Sequence, residues 1–119
     1  MNTASPENIL AAELGYEIDW TRFGELWRQE DRAIQEFRVL SRGLVDALTL
    51  IEYEDCDLST AMDAAAKSGA TEDLEAAVTH LRRALESETK AASLVARGAK
   101  LLEYLVAMGA LVDPRSDEE

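Results

Sequence analysis

The chain has 119 residues, 47 % of them hydrophobic and 30 % charged, with a formal net charge of −12 at pH 7. That is one domain's worth of material with enough apolar content for a core, so a wholly disordered chain is excluded. The acid excess disfavours binding of a nucleic-acid backbone through a general field, which needs clustered Lys and Arg.

Aromatic residues are only 6 %, and the apolar content leans on Ala and Leu with few β-branched residues. This helix-forming mixture predicts an all-α protein. No apolar run reaches the roughly 18 residues of a membrane span, and MNTASPENIL has neither the basic start nor the apolar stretch of a secretory signal, so a cytoplasmic protein is expected with no membrane partner. The lone Cys56 cannot form an intrachain disulfide, and nothing ties it by spacing to the single His as a catalytic pair.

Ser5-Pro6-Glu7 reads as an N-cap, a proline at the first helical position and an acid in the first turn. A short helix is predicted from about Pro6 to Leu14, stopped by Gly15, within an N-terminal lead-in of residues 1–19. Asp19 is a candidate N-cap for a much longer segment. From there Trp20, Phe23, Trp27, Glu30, Ile34, Phe37, Ser41, Leu44, Leu48 and Ile51 advance by threes and fours, which predicts a long helix over about 20–53. Leu26, Ala33, Leu40 and Ala47 lie beside that seam.

Residues 54–71 read as an acidic connector that turns the chain around, with Asp57 or Ser59 capping a short Ala-rich helix and Gly69 as its stop. Asp55-x-Asp57-x-Ser59 begins like a calcium loop. Thr60 and Ala66 stand where such a loop needs its Gly and its bidentate Glu, so calcium is not expected.

Thr71 caps a second long helix, predicted over about 72–109, whose seam is Leu74, Val78, Leu81, Leu85, Glu88, Ala92, Val95, Ala99, Leu102 and Val106. Beside it lie Ala77, Ala84, Ala91, Gly98 and Leu105, then Leu94, Leu101 and Met108. That apolar arc is wider than one partner helix covers. The 20–112 region is therefore expected to be a rod-like helical hairpin that pairs with a second copy as a four-helix bundle, with residues 113–119 a disordered acidic tail. If Ile51 sits level with Leu74, Glu30 falls near Val95 and Glu88 near Phe37.

Charge is unevenly placed. Residues 20–51 and 67–112 are each neutral, so the surplus of acid lies in 1–19, 52–66 and 113–119. On the polar back of the second helix Arg83, Lys90 and Arg97 repeat every seven residues, with Arg82 and Lys100 beside them; Glu86 and Glu103 lie within salt-bridge spacing of this stripe. Glu30 and Glu88 interrupt their seams and read as devices that fix register or partner. His80 has Ala77 three residues before it rather than a Glu, and no second His exists for a paired di-iron site. It reads as a packed neutral His at a helix contact.

No phosphate loop, metal quartet or nucleophile triad is present, so neither catalytic activity nor a cofactor is expected. The pattern favours a non-catalytic acidic interaction protein of adaptor, chaperone or inhibitor type, which homodimerises and binds another protein through apolar helix surface, its acidic ends suited to steering a basic partner. The expected interface comprises Trp27, Ile34, Phe37, Leu44, Leu81, Leu85, Glu88, Leu94, Val95, Leu101, Leu102 and Leu105. Glu52, Glu54, Asp55, Asp57, Arg83, Lys90 and Arg97 are the candidate electrostatic surface. A second reading is a nucleic-acid-facing protein, either a phosphate mimic over 52–63 or a binder through the stripe from Arg82 to Lys100. A metal-dependent carboxylate enzyme is third.

Overall fold

A computed structural model describes residues 5–115. Among them are four helices, α1 (Pro6–Glu13), α2 (Trp20–Arg28), α3 (Arg32–Ser68) and α4 (Thr71–Ala107), and two short strands, β1 (Glu17–Ile18) and β2 (Leu111–Val112). The all-α class holds, with a two-residue antiparallel bridge that pairs Glu17 with Val112 and Ile18 with Leu111. The chain forms two compact units, residues 46–92 and the segments on either side of them.

The first unit contains α1, β1, α2, the start of α3, the end of α4 and β2. Ser5 caps α1 by accepting from the Asn8 amide at 3.3 Å, and Asp19 caps α2 by accepting from the Arg22 amide at 3.1 Å. The expected continuous helix over 20–53 is broken after Arg28. There the Glu30 amide donates to the Trp27 carbonyl and the Asp31 amide to the Leu26 carbonyl, the paired bonds of a Schellman stop, with Glu30 at φ 58°. Asp31 then caps α3 by accepting from the Ile34 amide at 3.1 Å. The seam spacing across this point is the same before and after, which is why periodicity alone did not reveal the break.

The same stop closes α1 and α4, where the left-handed position is taken by Gly15 (φ 84°) and Gly109 (φ 81°). The second long helix thus ends at Ala107, slightly before the expected 109, and its chain returns into β2. Asp19 donates its amide to the Ala110 carbonyl at 3.0 Å, and the Arg22 guanidinium donates to the Met108 carbonyl at 2.8 Å, pinning the exit of α4 to the entry of α2.

Leu10, Phe23, Leu26, Ile34, Phe37, Leu40, Leu44, Leu94, Leu105 and Leu111 are all buried in this unit. Phe23 and Phe37 meet edge to face at 6.1 Å between centroids. Gly98 lets α1 approach α4, because a Cβ there would stand 3.3 Å from two carbons of Leu10. Ser41 is wholly buried and donates to the Phe37 carbonyl at 2.7 Å, so its hydroxyl is satisfied within the helix.

The second unit is a hairpin formed by the later part of α3 and the earlier part of α4. The expected connector over 54–71 is absent: α3 runs through it to Ser68, and Gly69 and Ala70 alone make the turn. Nothing between Glu54 and Ser68 stops a helix, since the segment has no Gly or Pro and is rich in Ala, while Asp55, Asp57 and Asp63 are exposed to water. Asp57 and Ser59 are accordingly interior to α3, not caps. The Ala70 amide donates to the Ser68 hydroxyl at 3.1 Å, and that hydroxyl donates to the Asp73 carboxylate in the first turn of α4. The longer helix also shifts the register, and Glu54 lies opposite His80, in the third turn of α4. Near the other end of α4 it is Asp31 that reaches Tyr104, not Glu30 that meets Val95.

Of the expected tail, Asp113 accepts from the Arg115 amide at 2.9 Å, and residues 116–119 lie outside the described part.

Candidate functional site

The hairpin of residues 46–92 buries an unusual set of side chains. Its buried positions on α3 are Ala47 and Ala65, with Ile51, Glu54, Leu58 and Ala61 half-buried between them; on α4 they are Ala77, Ala84 and Ala91, with His80 and Ser87 half-buried. Each series alternates steps of three and four, the rhythm of two helices in close contact. Every buried apolar residue of this unit is an alanine. The methyl groups allow the backbones to come close; Ile51 and Leu58 are half-buried beside them, and the other large apolar side chains are left outside.

Those outside residues are ordered. Leu74, Val78, Leu81 and Leu85 are 54, 53, 46 and 53 % exposed and form one stripe along α4. Leu48 and Met62 occupy the matching flank of α3, and in an antiparallel pair the two flanks fall on one face of the hairpin. A shallow groove over this stripe is lined by Thr71, Leu74, Glu75, Val78, Thr79 and Arg82. The seam read from the α4 sequence is therefore not the one that packs within the chain; the small-residue flank beside it is.

The residues expected at an interface divide accordingly. Ile34, Phe37, Leu44, Leu94 and Leu105 are core residues of the first unit, unable to meet a partner without unfolding. Val95, Leu101 and Leu102 are half-buried there, and Trp27 is exposed with the Arg38 guanidinium 4.1 Å above its ring. Arg38 also donates to the buried Glu7 carboxylate at 3.4 Å. Leu81 and Leu85 lie on the exposed face, and so does Glu88, whose side chain is in water rather than in a seam.

Of the charged candidates, Glu52, Asp55, Asp57, Arg83 and Lys90 are exposed, and Arg97 reaches Glu36 at 4.0 Å. Glu54 behaves differently. Its side chain is 14 % exposed and its Oε2 lies 2.7 Å from His80 Nδ1, whose side chain is 23 % exposed. One turn along the same face of α3, Asp57 joins them, and one ligand-type atom from each of the three lies within 4.8 Å of the other two. Sequence spacing does not reveal this trio, because the acids and the His stand on different helices and meet only in the register that the full-length α3 sets.

Tyr104 and Asp113 have shifted proton affinities. The hydrogen bond that Tyr104 donates to Asp31 raises the Tyr104 pKa above its ordinary value of 10.0, with the Asp31 charge acting in the same direction. The amide of Arg115 lowers the Asp113 pKa below 3.8 by bonding its carboxylate. No protein-family model matches the chain, nor does any curated protein or solved structure. No helix among the described residues is long and apolar enough to cross a membrane.

Proposed function

We propose that this chain is a non-catalytic, cytoplasmic helical interaction protein whose 46–92 hairpin pairs with the same hairpin of a second copy, forming a four-helix assembly that presents acidic surface to a basic protein partner. One observation carries the reading. A helical hairpin whose fully buried apolar residues are all alanines, while Leu48, Met62, Leu74, Val78, Leu81 and Leu85 are exposed, has put most of its large hydrophobic side chains on the outside. Such a face gains most by being covered.

A second copy is the occupant this face suits. The stripe is helical in period, so its complement is another helix face, and a two-fold axis lets one face serve as both halves of the contact. The surplus of acid at 52–66 lies on the same hairpin and would steer a basic partner toward it. Light scattering of the full chain tests the reading. At high micromolar concentration the mass is expected at twice the chain's 13.1 kDa, and Leu81→Glu returns it to the single-chain value with helicity retained. A single-chain mass for the unaltered protein at that concentration overturns it.

A further inference from the structure

We propose that Glu54, Asp57 and His80 form a binding site for one divalent transition-metal cation of the zinc class. The donor set fits such an ion. Two carboxylate oxygens and one imidazole nitrogen are the ligands that zinc, cobalt and manganese accept, whereas magnesium prefers oxygen and water alone.

Geometry supports the same assignment. In a sphere with metal–ligand bonds of about 2.0–2.2 Å, neighbouring ligand atoms stand roughly 3.3 Å apart. Here the three atoms are already within 4.8 Å of one another, so ordinary rotamer adjustment closes the set around an ion. Glu54 and Asp57 stand three residues apart on α3 and project along one face, while His80 comes from α4. An ion held between them would cross-link the two helices of the hairpin.

The pair also stands out within the hairpin contact, where Glu54 and His80 meet at 2.7 Å. Glu54 and His80 are the ionisable members of a helix-contact series otherwise made of Ala, Ile, Leu and Ser87, and the alanines at 77 and 84 flank His80 along its own helix. A half-buried carboxylate gains from a cation, and a half-buried imidazole gains from a fixed partner. Asp57 is exposed and gives the ion a path from water. Three protein ligands leave a coordination position open to water or to an added group. All three come from a single chain, so the site does not depend on the pairing proposed above.

Calorimetric titration of metal-stripped full-length protein with Zn²⁺, and with Mg²⁺ as the contrasting probe, tests the site. One Zn²⁺ per chain is expected, with no Mg²⁺ heat at the same concentrations. Co²⁺ in place of Zn²⁺ is expected to give visible d–d absorption from a low-symmetry site with a nitrogen ligand. His80→Ala and Glu54→Gln should each weaken Zn²⁺ affinity by tenfold or more, and Asp57→Asn by a smaller factor, with helicity checked by circular dichroism. Glu86→Gln, an exposed carboxylate on the same helix but outside the trio, should leave the titration unchanged. His80→Gln supplies a variant that keeps a polar partner for Glu54, so loss of Zn²⁺ there with the helices intact separates ligation from folding. Absence of Zn²⁺ binding to the unaltered protein overturns the proposal, as does binding that survives both His80 substitutions.

Discussion

The hydroxyl of Tyr104, near the end of α4, donates to Asp31 Oδ2 at 2.8 Å while Asp31 Oδ1 accepts from the Ile34 amide at 3.1 Å. One carboxylate therefore starts α3 and also holds α4 beside that start. Asp31→Ala removes both contacts, and the loss of the cap alone is expected to cost about 0.5–2 kcal/mol, read as a lower urea midpoint with unchanged slope. Asp31→Asn keeps an acceptor for the amide and should recover much of that loss.

The same contact has a pH signature. Tyr104 holds its proton more tightly in the folded chain than its ordinary pKa of 10.0 implies. The stability it contributes is then complete below about pH 10 and is lost as the pH rises through the raised folded value. Ultraviolet titration of the folded protein is expected to show one of its three tyrosines ionising after the others, and Tyr104→Phe should remove that late step. Ionisation of all remaining tyrosines at unchanged positions with the late step still present would assign it elsewhere.

Glu30 occupies a left-handed position that the chain gives to glycine at its two equivalent stops, Gly15 and Gly109. A side chain with a Cβ is strained there. Glu30→Gly is expected to raise stability by about 0.5–1 kcal/mol despite the extra freedom of the unfolded chain. Denaturant melts of the variant decide the sign; a loss would mean that the Glu30 side chain makes a contact worth more than the strain.

Much of this architecture is legible in the sequence because it rests on local chemistry. The Ser5 and Asp19 caps, the Gly15 stop and the two long helical patterns each depend on residue types at short spacing. The break at Glu30 was hidden because its stop uses a residue with no glycine-like signature and leaves the apolar rhythm intact. The acids of 54–63 read as a connector, yet acids tolerate an exposed helix face as readily as a loop, and the alanines at 61, 64, 65 and 66 carry the helix onward. Which of two parallel apolar columns on α4 would pack inward depended on backbone distance. Alanines permit a closer approach than leucines do, and that choice is made only when two helices meet. The trio of Glu54, Asp57 and His80 follows from the register and so was invisible for the same reason.

Two glycines within helices should respond differently to alanine. A Cβ at Gly24 meets only the outer nitrogen of Arg28 at 3.5 Å, so Gly24→Ala is expected to stabilise the chain by about 0.5–1 kcal/mol through helix propensity. At Gly98 the new methyl stands 3.3 Å from Leu10, which is wholly buried, and the propensity gain is offset by crowding. Gly98→Ala should come out near neutral, whereas Gly98→Val is expected to cost about 1–3 kcal/mol as α1 is pushed from α4. Equal gains at both glycines would show that α1 is not tightly seated on Gly98.

Glu88 continues the series Leu74, Leu81 at seven-residue spacing but is exposed and charged, so it ends the apolar face of the hairpin. Within one chain, Glu88→Leu exchanges one solvated side chain for another and is expected to change folding stability by less than about 0.5 kcal/mol. Between two chains it lengthens the stripe that they share. The expected signature is therefore a melting temperature that matches the unaltered protein at low micromolar concentration and exceeds it as concentration rises, together with a tighter self-association constant by sedimentation. A rise that is equal at every concentration would mean that Glu88 is strained inside the single chain, against its exposure. No rise at any concentration would mean that the face carrying Leu74 and Leu81 does not pair with itself, and the four-helix assembly would fall with it.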